Sequence, residues 1–255
     1  MVKGNEQVKH NELVLKTCLL AGKIMMQSGA ETYRVEDTIS RMALACDYPD
    51  THSYSTPTGI IVSLEGENPT RLVRINTRST DLEKVARVNQ ISRQLTSGDI
   101  TISDAFQMLE TLEKENLSFP ILVQIMAAAI ASASFLIMFK GTWLDFLPAF
   151  FIGGIGFTSF YFIDHFTKVK FFAEFMASFI IGLLAYFIVQ LGIGHEIDKI
   201  IIGSVMPLVP GLLITNAVRD LMVGHFVSGL SKGAEALLTA FAIGAGVAIV
   251  FAFTM

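Results

Sequence analysis

Beyond Pro120 the chain carries four apolar stretches, each close to the length that crosses a bilayer. They are Ile121–Phe139, Trp143–Ile163, Phe171–Leu191 and about Ala234–Phe253. About 20 residues rising 1.5 Å each span the ~30 Å of hydrocarbon in a membrane. Four such stretches in one short chain cannot all be hidden in a soluble core. Charge is distributed to match. Residues 1–118 hold 13 Lys/Arg and 16 Asp/Glu, while the remaining 137 residues hold 6 and 7. The sequence therefore predicts a soluble domain over 1–118, followed by a helical membrane domain over 119–255.

The soluble half reads as α+β in the order α-α-β-β-α-α. Residues 8–28 form an amphipathic helix with Leu13, Thr17, Leu20, Ala21 and Ile24 near one face. Ser28-Gly29 ends it, glycine being suited to a left-handed C-terminal position. Ser28 to Glu31 also has the spacing of a capping box for a second helix, about Glu31–Cys46. Val35, Ile39, Met42 and Ala43 make its apolar stripe. Gly59–Leu64 and Arg71–Asn76 read as strands joined by the turn-rich Glu65–Pro69, and His52–Thr56 is a further β-type run. Thr80 to Glu83 is another capping-box spacing, opening a helix to about Thr96 that Ser97-Gly98 ends. A last helix covers about Ile102–Glu115.

The fourth crossing is broken. Ile197–Val209 begins as a span, but Pro207 and Pro210-Gly211 interrupt it, and Asn216, Arg219 and Asp220 follow soon after. Proline removes a backbone donor and kinks a helix. Broken helices occur in membranes where protein or water surrounds the freed groups. Residues 197–209 and 211–226 thus read as two pieces of one discontinuous crossing, the fourth of about five. A half-helix starting after Pro210-Gly211 would direct a positive dipole end at a carboxylate, the alternative being a kink needed only for packing. Asn216, Arg219 and Asp220 are expensive in lipid unless they pair or face water, so they are read as lining a substrate path, the alternative being that they sit at the inner interface with their polar ends in water. Arg219 can grip a carboxylate through a two-pronged contact, and Asp220 can carry a coupling proton. Arg219 and Asp220 point apart by about 100° on a helix, so they do not form a mutual pair. Glu174 and Glu235, near the starts of the third and fifth segments, are further substrate-path candidates that can face a shared cavity at the cytoplasmic end, or equally sit at the interface. Gln124, Ser178 and Ser204 can bond between helices. Asp164-His165 reads as a solvated edge.

Other chemistry is weakly represented. The soluble half has no Walker A motif, no GxSxG and no HExxH, which removes the common signatures of an ATP-driven motor, a serine hydrolase and a zinc protease. Neither half is basic, which argues against nucleic acid as a partner. Cys18 and Cys46 are not in a zinc or CxxC arrangement and read as reduced thiols. No metal or cofactor is expected. The polar run from Glu31 through Tyr33, Arg34, Glu36 and Asp37 offers a docking or binding face. It also fits a solvated face tied by ion pairs, with Arg34, Asp37 and Arg41 on one side.

These residues also carry a resemblance. Gly29 to Thr38 (GAETYRVEDT), Pro57-Thr-Gly59, Arg74-Ile75 and Asp81 to Val85 are similar to the N-terminal domain of the threonine/serine exporter family. Pro210-Gly211, Asn216, Arg219-Asp220, Gly224, Ser228 to Leu230 and Glu235 resemble that family's first membrane domain. The resemblance covers about residues 10–254. It implies export of small metabolites bearing carboxylates, threonine and serine in some members and succinate in a two-subunit member. Longer members carry a second membrane domain, so this chain resembles the split form, whose other half is a separate small membrane protein.

The functional expectation is a subunit of a secondary exporter. It lies in the cell membrane, binds a small carboxylate substrate, and assembles with a second small membrane subunit in a hetero- or homo-oligomer. A membrane-anchored hydrolase and a regulatory or scaffold subunit are the alternatives. An anchor needs no broken helix, and a hydrolase needs motifs that are missing. The N-terminus MVKGNEQVKHNE is polar and lacks a signal peptide's apolar core, which places the first domain in the cytoplasm. Lys168, Lys170, Arg219 and Lys232 then fall in inside loops, with Lys140 and Lys199 outside. Five crossings put Met255 outside.

Overall fold

The computed structural model describes residues 2–64 and 70–254, the side chains of 2–7 and 254 excepted. These residues form two compact units: residues 1–118 with Leu212–Gly233, and Phe119–Gly211 with Ala234–Met255. The boundary after Ser118 coincides with the change of composition. The stretch Leu212–Gly233, counted with the membrane domain on sequence grounds, groups with the first unit.

The first unit is built around helix α1 (Val2–Gln27), followed by α2 (Thr32–Leu44), β1 (His52–Thr56), β2 (Gly59–Ser63), β3 (Arg71–Arg74), α3 (Leu82–Ser97) and α4 (Ile102–Lys114). The run at His52–Thr56 is a strand, so there are three strands where the sequence order gave two. They form an antiparallel meander in the order β1-β2-β3. Thr56 pairs with Gly59 across a two-residue turn at Pro57-Thr58, and Gly59 pairs with Arg74 on its other side. The strand pairing expected of β2 and β3 is present, while the Glu65–Pro69 turn lies outside the described residues. Ile60 and Val62 are fully buried while Ile61 between them is exposed, the alternation of a sheet with one face on a core.

Helix α1 is buried more completely than one stripe allows. Val14, Leu15, Thr17, Cys18, Leu19, Ala21, Ile24, Met25 and Met26 are all buried. The helix has α2, α3, α4 and the sheet as neighbours. A helix enclosed in this way needs apolar residues all round, so the single face read from the sequence was too narrow. Burial pushes the Cys18 thiol up to about 12, and both cysteines are unbridged.

Two helix starts differ in detail from the capping patterns. Asp81, not Thr80, caps α3 by accepting from Lys84 N at 3.1 Å. Ser28 does not cap α2, whose N-cap is Glu31 with no side-chain bond. The expected glycine ends are present, with Gly29 at φ +87° and Gly98 at φ +79°. An unforeseen capping box, Thr101 with Asp104, opens α4.

The second unit contains α5 (Ile121–Met138), α6 (Phe146–Thr167, after a 3-10 turn at Trp143–Asp145), α7 (Lys170–Gln190) and α8 (Ile197–Val205). A 3-10 turn, Met206–Leu208, then precedes α9 (Gly211–Val223), and α10 is Phe226–Thr254. Among the described residues, four helices are long and apolar enough to cross a membrane, five if the pair bent by 63° at Val209-Pro210 counts as one span. The second half of that pair ends at Val223 rather than 226, because Gly224 turns the chain at φ +97°. Helix α10 starts eight residues earlier than the apolar stretch suggests, so Lys232 lies on a helix and not in a loop.

Close helix contacts in this unit depend on small residues. A Cβ on Gly153 would sit 2.1 Å from Ser132 Oγ, and one on Gly246 would sit 2.4 Å from the Phe175 carbonyl. This is how helices pack where no aqueous hydrophobic effect drives them together. Only 28–39% of each spanning window is buried, so the outward faces, with Trp143, Phe166, Leu237 and Phe241, present apolar surface suited to lipid.

Candidate functional site

Two buried carboxylates organise the polar chemistry, one in each unit. In the first unit the site begins where α1 stops. Gly29 takes the left-handed turn, and Ala30 N returns to Met25 O at 3.0 Å. Helix α2 then starts without a cap of its own, leaving N–H groups that need acceptors. Asp220 from α9 supplies them. Its Oδ1 accepts from Thr32 N at 3.0 Å, and its Oδ2 accepts from Thr32 Oγ1 at 2.8 Å, Ser228 Oγ at 3.0 Å and Lys232 Nζ at 2.8 Å. An anion at a helix N-terminus is also favoured by the helix dipole. The hydroxyls of Thr32 and Ser228 approach to 2.5 Å, so two hydroxyl protons serve three contacts. Asp220 is 0% and Lys232 7% exposed, which makes this a buried ion pair with its other bonds filled.

The α9–α10 turn brings these groups together. His225 N donates to Asp220 O at 2.8 Å, and a Cβ on Gly229 would meet Leu221 Cγ at 2.6 Å. Asn216 Nδ2 donates to Gly29 O at 2.8 Å, and Lys232 Nζ to Ala30 O at 3.3 Å. Arg219 is 56% exposed and places Nη1 2.6 Å from Glu31 Oε1. Asn216, Arg219 and Asp220 thus meet separate sets of partners, and none pairs with another.

The polar run of α2 is tied down largely as a solvated face would be. Arg34 meets Glu31 at 3.1 Å and Arg41 meets Asp37 at 2.9 Å. Burial pushes the Glu31 carboxyl up, but its own backbone N–H, Arg219 and Arg34 together hold it below the usual carboxylate range. Glu36 behaves oppositely. Burial raises it, only partly offset by Ser55 N, which it accepts at 2.7 Å, and by His225. Tyr33 is 37% exposed.

In the second unit Glu174 and Glu235 do come together. Lys170 Nζ lies 3.3 Å from Glu235 Oε1 and 3.9 Å from Glu174 Oε1. Thr239 Oγ1 donates to Glu174 Oε1 at 3.2 Å. Glu174 is 2% exposed, and its Oε2 has no hydrogen-bond partner among the described residues. Pro207 lies in the 3-10 turn, and Pro210 and Gly211 form the break before α9.

Of the three suggested interhelical bonders, only Ser204 reaches another helix, donating to Ala149 O at 3.4 Å. Gln124 bonds Phe119 O and Ser178 bonds Glu174 O, both within their own segment. Asp145 went unnoticed in the sequence. It is fully buried and accepts from His195 N at 2.7 Å, Glu196 N at 3.2 Å and Thr142 Oγ1 at 2.9 Å, fixing the α7–α8 loop. Thr32, Ser228 and Lys232 were also missed as site residues. A signal existed, since Asp220 in an apolar stretch demands a cation, and Lys232 is the next one along the chain.

Comparison with known proteins agrees with this architecture. A family described as "Putative threonine/serine exporter" matches residues 16–254. A "Probable threonine/serine exporter" of Mycobacterium tuberculosis is 24% identical over 94% of this chain, which spans 46% of that protein. A "Probable succinate transporter subunit YjjP" of Klebsiella aerogenes is 25% identical over 95% of this chain and 93% of its own length. No solved structure matches the chain. A family match over nearly all of the chain, several membrane-length helices and a broken helix with buried polar partners lead to one assignment: this chain belongs to the threonine/serine exporter family, a family of membrane transporters and not of enzymes.

Proposed function

We propose that the chain is a subunit of a secondary exporter for small carboxylate-bearing metabolites, either threonine/serine-type amino acids or dicarboxylates such as succinate. It works in the cell membrane with a second, smaller membrane protein, and residues 1–118 face the cytoplasm. The relative that matches this chain along nearly its whole length is named a transporter subunit, which supports a partner.

The observation that carries the reading is Arg219. It follows the Pro207–Gly211 break by two helical turns, stands half exposed, and holds a carboxylate already, that of Glu31 at 2.6 Å. A guanidinium in this state can exchange Glu31 for a substrate carboxylate, with Asn216 one turn away on α9. Lysine keeps the charge but loses the planar two-pronged contact. Arg219→Lys should therefore cut efflux at least tenfold while membrane insertion and protein level stay normal. Efflux unchanged in that variant would remove Arg219 from the route. Orientation is checked by adding single cysteines near residues 4 and 254. They should label from opposite sides of the membrane, and same-side labelling would contradict the five-crossing arrangement.

A further inference from the structure

We infer that Glu174 is the proton-binding site through which transport is coupled to a pH gradient. The inference rests on the exporter reading and adds a named ion site to it.

Helix α7 contributes Lys170 and Glu174, and α10 contributes Glu235 and Thr239. Asp164 of α6 is close enough to act on Glu174 electrostatically. Lys170 therefore lies against two carboxylates, with a third, Asp164, nearby. Lys170 Nζ sits closer to Glu235, at 3.3 Å, than to Glu174, at 3.9 Å. Glu174 is the more deeply placed of the two, 3% exposed at the side chain against 18% for Glu235.

Hydrogen bonds give the same answer. A carboxylate offers about four acceptor sites. Here Oε1 takes one bond from Thr239, and among the described residues Oε2 takes none. Ser178, the nearest hydroxyl along α7, is spent on the Glu174 carbonyl. A buried oxygen without a partner is costly while it bears charge. A proton on Oε2 removes that charge, leaves the Thr239 bond to Oε1 in place and gives up only the 3.9 Å approach of Lys170. Lys170, 44% exposed, stands at the wet end of the cluster and gives water a way in. Proton binding forms one O–H bond at Oε2 and leaves Lys170 with Glu235. Proton release restores the second negative charge and draws the ammonium towards Glu174. The cluster thus has two arrangements that differ by one proton and by which carboxylate Lys170 serves, and a coupled carrier needs two such states.

The test uses the chain with its partner subunit in proteoliposomes, loaded with radiolabelled threonine, serine or succinate and with the pH dye pyranine. Two readouts are taken, exchange of label without any ion gradient and transport driven by an imposed pH gradient. The wild-type complex should show both, with a lumenal pH change that depends on substrate. Glu174→Gln should keep exchange within about threefold while losing the response to the pH gradient and the substrate-dependent pH change. Glu174→Asp, which keeps a carboxyl, should retain the pH change. Glu235→Gln should keep the gradient response. Proton-coupled transport intact in Glu174→Gln, or transport that follows a sodium gradient and ignores pH, would overturn the assignment. Absence of exchange for all three substrates in the wild-type complex would instead bring down the exporter reading, and this inference with it.

Discussion

Asp220 and Glu174 are both buried carboxylates beside a lysine, yet their surroundings are opposite. Asp220 receives four donors, two of them from Thr32 at the start of α2, and its lysine is buried with it. Glu174 receives one hydroxyl, keeps one oxygen unpartnered, and shares its lysine with Glu235. A saturated carboxylate is a fastener, because any change in its charge breaks several bonds at once. An undersaturated one can change charge at little structural cost. Proton coupling, for which the sequence offered Asp220, is better suited to the Glu174 site.

The largest expected effect follows from removing the fastener. Asp220→Ala leaves Lys232 buried without its counter-charge and the α2 N-terminus without its acceptor. Truncating one partner of a buried pair costs about 3–5 kcal/mol. Thermal unfolding in detergent should show a large loss of stability, or no folded protein at all. Adding Lys232→Met should recover part of it, since the stranded charge is then gone. No recovery would mean that the ion pair is not what Asp220 supplies.

Glu174→Gln should show the reverse profile. The amide keeps an acceptor for Thr239, so stability should change by less than about 1 kcal/mol, the scale of one net hydrogen bond. A loss as large as that of Asp220→Ala would erase the distinction between the two sites. Arg219→Ala should also cost about 1 kcal/mol or less in stability, because its pair with Glu31 is exposed on the arginine side.

The smallest effects are pH-dependent. Glu31 is held below the usual carboxylate range in the folded chain, so its contribution is present at neutral pH. It is lost as pH falls through that lowered value. Glu36 is raised, so the folded chain binds a proton that the unfolded chain has released. Stability therefore declines as pH climbs from the ordinary carboxylate value to the raised one. Glu36→Gln should raise the unfolding temperature slightly at pH 7 and leave it unchanged near pH 4. A drop at pH 7 would show that the contact with Ser55 needs the charged form.

Much of this architecture is local, and local features are legible in sequence. The membrane-length runs, the Pro210-Gly211 break and the glycine ends at Gly29 and Gly98 each follow from a short window of residues. The misreadings concern what one segment does to another. Helix α1 looked one-sided because its repeat was scanned for a single stripe, whereas four neighbours surround it. Lys232 looked like a loop charge because the polar residues around it precede the apolar part of α10. Its partner lies twelve positions back, across a turn set by Gly224. Ser28 looked like a cap by spacing, but the acceptor for α2 comes from Asp220, 188 residues further along from Thr32. The unpartnered oxygen of Glu174 could not be foreseen either, since Glu235 and Thr239 reach it only through packing of α7 on α10, where Gly246 admits the Phe175 carbonyl.

The most direct measurement of the account is efflux of threonine, serine and succinate from preloaded proteoliposomes without ATP. The chain is reconstituted alone, and then with the proposed small membrane partner. The expected result is efflux of at least one of these metabolites with both proteins present and none above background with this chain alone. Full efflux by the chain alone, a strict requirement for ATP, or no efflux of any of the three with both proteins present would contradict it.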